Sequence, residues 1–572
     1  MIDFLTLKKN LKKDFSQFKK IKIALLGDTS TNFINQALKG YGYEIQKDFE
    51  IYEADYNQVE RQIFDPTSEL YKFAPEFVII YNSSAKLQSK FYKLSAFEKK
   101  SFTVDTINHI QKLYDNLTSK LKCKLIFFNY REINDNIFGN YASKVEISYP
   151  YQLRKINFEL MNLSQRSKNL FILDLLGLQS HVGNKGLFDA ISYVNADIVF
   201  HIDFLPVVVK NITDIILAIN GTIKKCLILD LDNTLWGGII GDDGIENIQI
   251  GNFKIGKAFT DFQLWIKQLK ERGIILAVCS KNEEQIAREP FENHPDMVLS
   301  INDFAIFVAN WNSKVDNIKY IQEVLNIGFD SMVFFDDSPF ERNVIRQHLP
   351  EVTVPELPKD PALYLSYLQT LNLFETASFA EEDEIRTKQY QEETKRAIAL
   401  KSFTSEEDFL KKLGMGTNMR PFEKFDYPRI AQLTQRSNQF NLRTVRYTEE
   451  DIKQLAESPE YFTLAFNLSD KFGDYGLISV AILKKELNSL FIDTWIMSCR
   501  VLKRGMENLI LNKIVSIANE NDAEQIIGEY LPTQKNGIVK NLFNDLGFLE
   551  KDNKWILETK NYLPKKHFIN FS

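Results

Sequence analysis

Cysteine is scarce in this chain: Cys123, Cys226, Cys279 and Cys499 are widely spaced among 572 residues, with no Cys-x-x-Cys pair. That excludes a disulfide framework and a structural zinc site, and it fits a reducing compartment. No apolar run approaches the roughly 20 residues a membrane-crossing helix needs, so no membrane insertion is expected. A basic block is also missing, with 76 Asp and Glu against 70 Lys and Arg for a net charge of −6. Nucleic acid is therefore not expected as a partner. The first twenty residues place lysines between apolar residues at helical spacing, without the continuous apolar core or small-residue cleavage site of a secretory signal. A cytoplasmic protein is the expectation. There is no internal repeat, and the one biased tract is a charged stretch, Glu381 to Lys395, of a solvated helical connector.

What is abundant is core material. Hydrophobic residues make up 44%, with 44 Phe and 23 Tyr, enough to fill several cores. The length suggests on the order of three or four domains. Apolar strands at Ile21 to Leu26, Phe77 to Tyr81, Leu125 to Asn129 and Leu170 to Leu175 alternate with helical patterns. This βαβ rhythm predicts a doubly wound α/β sheet over residues 1–220.

The densest chemistry lies in Cys226 to Gly238, Cys-Leu-Ile-Leu-Asp-Leu-Asp-Asn-Thr-Leu-Trp-Gly-Gly. A short apolar strand ends in two carboxylates, Asp230 and Asp232, where ligands sit in open α/β sheets. Two buried carboxylates are tolerable if a cation joins them; the plainer reading is a strand ending in a polar turn. Three later segments favour the first. Ile274 to Ser280 is a second apolar strand, preceded by an amphipathic helix through Phe259, Phe262, Trp265, Ile266 and Leu269 that Gly273 stops. Lys314 follows, and then a third strand, Ser331 to Asp337, ends in the pair Asp336 and Asp337.

In that order the four segments resemble the motifs of the haloacid dehalogenase (HAD) superfamily of phosphoryl-transfer enzymes. The resemblance implies Asp230 as nucleophile and Asp232 as the acid that protonates the leaving oxygen and later activates water. It implies phosphate binding by Thr234, Ser280 and Lys314, and Mg²⁺ held by Asp230, Asp232 (through its carbonyl) and Asp336, with Asp337 beside them. Longer phrases narrow the match: Asp230 to Gly244, Cys279 to Asn282 and Phe335 to Arg342 resemble the FkbH-like group, HAD subfamily IIIC. The group implies phosphatase-like activity, or loading of a glyceryl unit from 1,3-bisphosphoglycerate, a phosphorylated small molecule, onto an acyl carrier protein. The core spans 221–355, and between Thr234 and Gly256 there is no room for an inserted cap domain. Cys279 beside Ser280 is a candidate transient acyl carrier, provided the strand ends before it; the alternative is a core cysteine.

Two further resemblances flank the core. Leu25-Leu-Gly-Asp-Thr-Ser30 resembles the first block of SGNH hydrolases, with Thr29 in the usual serine position, Ser30 one step late, Asn82 at a later strand end, and His181 and His201 as the late histidines. An SGNH-like, flavodoxin-like fold with impaired hydrolase chemistry is implied. After a helical connector over 356–402, residues 403–572 resemble a GNAT-type acyltransferase domain of α+β class. There Arg500, Lys503 and Gly505 form the turn facing the pyrophosphate of coenzyme A or a carrier-borne phosphopantetheine, with Tyr530 as candidate acid. Lys503 replaces the glycine expected at that turn. Arg436 to Asn441 is another FkbH-like phrase, whose amides either bind a ligand or cap a helix.

The leading expectation is a three-domain Mg²⁺-dependent phosphatase and acyl transferase, with any carrier protein supplied in trans. Its rivals are a GNAT-centred acyltransferase of cell-surface polysaccharide synthesis and a non-catalytic biosynthetic scaffold.

Overall fold

The computed structural model describes residues 2–379, 386–400, 405–533, 535–560 and 562–571. The chain divides into two compact units, 1–217 and 218–572.

The first unit is built on strands β1 (Lys19–Gly27), β2 (Lys47–Glu53), β3 (Phe77–Tyr81), β4 (Lys124–Phe128) and β5 (Leu170–Leu173), in the order β2-β1-β3-β4-β5. All pairings are parallel, with Ile23 opposite both Ile51 and Phe77. Helices cover the faces; the longest, Ala96–Lys120, starts at a Ser95–Glu98 capping box. β2 is the strand that hydrophobic patterning misses. It lies at the sheet's edge, and of Lys-Asp-Phe-Glu-Ile-Tyr-Glu only Phe49 is buried, so its apolar signal is weak.

The second unit holds two sheets. In the first, β6 (Cys226–Leu229), β7 (Ile275–Ser280), β8 (Phe304–Ala309) and β9 (Met332–Phe335) run parallel in the order β8-β7-β6-β9. Every residue of β6, β7 and β9 is buried, as expected where helices cover both faces. The predicted amphipathic helix runs Gly256–Glu271 and buries Phe259, Phe262, Ile266 and Leu269; Gly273 beyond it takes φ 95°, open to glycine at no steric cost.

The other sheet comprises β10 (Met415–Thr417), β11 (Met419–Arg420), β12 (Tyr461–Asp470), β13 (Gly473–Lys485), β14 (Ser489–Met497), β15 (Gln525–Gly528), β16 (Leu549–Lys551), β17 (Lys554–Glu558) and β18 (Ile569–Phe571). It is mixed, in the order β16-β17-β15-β14-β13-β12-β10-β18 with β11 on β12. β14 and β15 pair only over Ser489–Phe491 and then diverge. The chain itself fills the wedge: Met497 N donates to Phe440 O (3.2 Å), Leu531 N to Leu442 O (2.9 Å) and Asn536 Nδ2 to Asn441 O (2.9 Å). The phrase Arg436 to Asn441 thus ends one helix, Tyr427–Arg436, and then supplies backbone to a sheet opening.

The described part of the charged connector, residues 386–395, is largely packed rather than solvated. Residues 381–385 lie outside the described residues, but the helix Arg386–Leu400 packs between the two sheets of this unit with Thr387, Gln389, Tyr390 and Arg396 buried. Arg396 pairs with the fully buried Asp470 at 2.9 Å, and Arg504 reaches Glu393 at 3.1 Å. Its charges satisfy one another inside the unit, which a charge count along the sequence does not reveal.

Candidate active site

β6 and β9 are neighbours, with Leu229 opposite Phe335, so the residues that follow them emerge side by side. Asp230 N donates to Phe335 O at 3.0 Å, fastening the two strand ends together. Carboxylate oxygens of Asp230, Asp336 and Asp337 consequently lie within 4.8 Å of one another. Lys314 opens the helix Lys314–Leu325, which is capped by Ser313, and its Nζ lies 2.8 Å from Asp230 Oδ1 and 2.6 Å from Asp336 Oδ2.

Three carboxylates against one ammonium leave the cluster short of positive charge. Burial first, and then the charge of Asp230, pushes Asp336 up to about 7 and Asp337 up to about 6. Burial alone would depress the Lys314 ammonium, but Asp230 and Asp336 outweigh it and hold it above its usual range. Hard oxygen donors lacking counter-charge are the donor set of a divalent ion such as Mg²⁺, so these residues fit one.

Asp232 is turned away from that cluster. Its Oδ1 accepts from Trp236 Nε1 (3.1 Å) and Ile240 N (3.0 Å), and its Oδ2 from Asn282 Nδ2 (2.7 Å). Burial nonetheless raises its carboxyl above the ordinary range. A carboxyl held by three donors and disposed to carry a proton suits an acid better than an ion ligand.

Thr234 is fully buried beside the carboxylates, and its Oγ1 accepts from Asp337 N at 3.1 Å. It ties the first loop to the last. Ser280 ends β7, nearly inaccessible at 1% exposure. Cys279 fails the condition on which its carrier role rested, because β7 runs on through Ser280. Alternation points the thiol into the apolar cluster of Cys226, Ile228, Ala277 and Val308, and burial raises it well above the usual thiol range. A neutral, enclosed thiol is no nucleophile.

Two residues that the sequence marked only as members of family phrases prove structural to the site. Asn282 holds Asp232, and the buried Arg342 donates Nη1 to the carbonyls of Asp336 (2.8 Å) and Asp337 (2.7 Å). Their signal was position, three and five residues beyond motif residues Cys279 and Asp337.

In the first unit, the carboxyl ends of β1 and β3 bring Asp28, Asn82 and Ser83 to a cavity of about 560 Å³ with a mixed polar and apolar lining. Burial, partly offset by the Ser83 N–H and Lys86, pushes Asp28 up to about 6. Thr29 is fully buried, His181 is exposed, and His201 Nδ1 accepts from Asp203 N at 3.3 Å. Among the described residues no hydrogen bond joins Thr29 or Ser30 to either histidine, so no serine-hydrolase relay is assembled.

The expected coenzyme A turn disperses. Lys503 is exposed with φ 61°, and Gly505 caps the helix Met506–Glu520. The backbone N–H groups of Lys503 and Gly505 already act on the half-buried carboxyl of Glu507, which desolvation raises above its usual range. Arg500 points elsewhere, to Gln389 and Ser498 Oγ. Tyr530 is packed on the core with its hydroxyl 3.3 Å from Asn536 Oδ1. The N–H groups of the turn already serve Glu507, and the chain's own backbone enters the wedge between β14 and β15.

Among the described residues no helix is long and apolar enough to cross a membrane. No curated protein matches the chain significantly. The crystal structure of the N-terminal part of the protein BF1531 from Bacteroides fragilis, containing a phosphatase domain complexed with Mg, is 53% identical with a TM-score of 0.65; the match covers 66% of this chain and all of that one. The ribosomal-protein-S18-alanine N-acetyltransferase from Escherichia coli is 14% identical over 26% of this chain and 99% of its own, and its TM-score of 0.21 carries no argument. Residues 22–217 match the profile described as FkbH, N-terminal domain. Matched in that domain and 53% identical to a relative that it covers from end to end, the chain belongs to the FkbH family.

Proposed function

We propose that this chain is a Mg²⁺-dependent phosphatase of the HAD type that acts on a small acyl phosphate such as 1,3-bisphosphoglycerate and passes the acyl unit to a carrier protein. The observation that carries the reading is the convergence of Asp230, Asp336 and Asp337 around Lys314. The Mg-complexed phosphatase domain of the Bacteroides fragilis relative supports the choice of ion. Asp230, Asp336 and Asp337 would hold Mg²⁺, which when bound neutralises the phosphoryl oxygens and the crowded carboxylates.

Lys314 orients Asp230, whose free oxygen attacks the phosphorus of the substrate's ester phosphate as the bond to the leaving alcohol oxygen breaks, giving an aspartyl-phosphate; the acyl phosphate stays intact for the carrier thiol, which attacks the acyl carbon and expels inorganic phosphate. Asp232 gives its proton to that leaving oxygen. The same carboxylate then takes a proton from water, which releases phosphate and restores Asp230. Trp236, Ile240 and Asn282 fix the orientation of the Asp232 carboxyl at rest.

A macromolecular acceptor is supported by the rim. Ile239 and Trp311 stand 45% and 76% exposed on the loops that follow β6 and β8, and Phe340 stands 69% exposed in the first turn of the helix Pro339–His348 after β9, all at the site's edge of the sheet. Exposed large apolar residues gathered at one edge mark a docking surface rather than a small-molecule lid. The test is phosphate release from 1,3-bisphosphoglycerate with Mg²⁺, followed by intact mass of an added carrier protein. Asp230→Asn is expected to lower release by about 10³-fold or more; wild-type turnover in that variant would refute the assignment.

A further inference from the structure

The sheet of the first unit reverses its winding at β1. From β1 the chain crosses to β2 on one side and then returns to β3 on the other, so the connections leaving β1 and β3 part in opposite directions. In an open parallel sheet that parting leaves a crevice beyond the carboxyl ends of the two strands, where ligands are held. Here the crevice is the cavity of about 560 Å³, a size within the range of small-molecule sites. Gly27 is paired with Tyr81, and Asp28 N donates to Tyr81 O at 3.2 Å, so Asp28 and Asn82 emerge into it side by side.

The lining has two parts. Asp28, Asn82 and Tyr130 supply hydrogen-bonding groups with capacity to spare. Asp28 Oδ1 accepts from Ser83 N at 2.8 Å, and among the described residues no cation forms an ion pair with this carboxylate. Lys86 Nζ donates instead to the Asp28 carbonyl, to Asn57 Oδ1 at 3.3 Å and to Asp197 Oδ2 at 3.5 Å. The buried Tyr130 places its hydroxyl against the Asn82 side chain. The second part is apolar: Leu87, Phe102, Ile110 and Leu113 are buried in the wall, while Glu60, Lys90 and Asp105 stand exposed at the rim.

A ligand head must offer the Asp28 carboxylate a donor and also accept from the Asn82 amide or the Tyr130 hydroxyl. A hydroxyl does both. A carboxylate or phosphate would be driven against Asp28. An ammonium has no lone pair for the amide and phenol donors, and it would share the space with the charges of Lys86 and Lys90. The apolar wall suits a hydrocarbon tail.

We propose that this cavity binds an uncharged aliphatic ligand, its hydroxylated head on Asp28, Asn82 and Tyr130 and its tail of several carbons along Leu87, Phe102, Ile110 and Leu113. The site holds this ligand without cleaving it, since no serine-hydrolase relay is assembled among the described residues beside it. Every residue involved belongs to the first unit, so the inference does not rest on the phosphatase reading.

The experiment is saturation-transfer NMR and calorimetric titration of the full chain at neutral pH with 1,2-hexanediol, hexylamine and hexanoate, which share a tail and differ in head. The diol should bind about ten-fold or more tightly than either charged congener, and Asp28→Ala should weaken it by a similar factor. Thr106→Trp, at a half-buried position of the helix Ala96–Lys120 that lines the cavity, should abolish binding by filling the space. Asp28→Ala removes a costly buried charge and so keeps the test decisive if the tryptophan variant fails to fold. Absence of diol binding to wild type, equal or tighter binding of a charged congener, or undiminished affinity in Asp28→Ala would each overturn the proposal.

Discussion

Lys314 Nζ lies 2.6 Å from Asp336 Oδ2 while also reaching Asp230 Oδ1 at 2.8 Å, so one buried ammonium is shared by two strand-end carboxylates. Without it, both would sit in a low-dielectric pocket unpaired. Lys314→Met should cost about 3–5 kcal/mol of stability in metal-free buffer, the penalty for breaking a buried pair from one side. Denaturant titration measures it, and a loss below about 1 kcal/mol would mean that the carboxylates are already protonated or hydrated.

The same charge imbalance predicts that Mg²⁺ stabilises the folded chain. At a hundred times its dissociation constant the ion should add about 2.7 kcal/mol, read as a rise in melting temperature that EDTA reverses. Asp336→Asn should abolish most of the rise, since its carboxylate lies at the centre of the cluster. An equal rise in the variant would place the ion elsewhere.

Cys279→Ala should leave phosphate release largely intact, because the thiol packs in the core behind β7 and touches the site through the Lys314 carbonyl, at 3.9 Å. A modest loss of stability from the small cavity is the expected effect, about 1 kcal/mol. Loss of acyl transfer with retained phosphate release would reinstate the cysteine as a carrier.

Asp28 offers a pH test in the first unit. Its carboxyl is raised to about 6 by burial, facing Ser83 N, Lys86, Lys90 and Asp197. The folded state therefore holds a proton that the unfolded chain releases near pH 4, and this contribution is complete below that pH and lost as pH climbs through 6. Asp28→Asn keeps an acceptor for Ser83 without the charge, so it should stabilise the unit by about 2–3 kcal/mol at pH 8 and little at pH 4. Melting curves at the two pH values decide; equal shifts at both would exclude a titrating Asp28.

Trp311→Asp should spare hydrolysis of the ester phosphate and impair delivery to a carrier protein, because the indole is 76% exposed on the loop after β8. The signature is a raised KM for the carrier with unchanged phosphate release. Parallel losses in both would show that Trp311 acts on the site itself.

Much of this chain was legible in its residues. Apolar strands that end abruptly in Asp230 and in Asp336 state both the parallel sheet and the edge at which its chemistry lies, because an all-apolar strand needs cover on both faces and a carboxylate at its end needs a cation. The amphipathic helix before β7 was equally plain, since its apolar spacing and its terminal Gly273 are local features. Tertiary structure decided what depends on orientation. Asp232 and Asp230 are two residues apart, yet one turns to Asn282 and the other to Lys314, and no spacing rule distinguishes them. Cys279 and Ser280 differ by one step of strand alternation, which became informative only when β7 was seen to continue past both. The connector helix looked solvated because its charges are dense, and only its packing shows Arg396 meeting Asp470, 74 residues away. Arg500 belonged by sequence to a coenzyme A turn, and the fold gives it instead to Gln389 and Ser498 Oγ. A side chain's neighbours across the fold are set by how sheets and helices stack, and long-range contacts of that kind leave no periodic trace in the sequence.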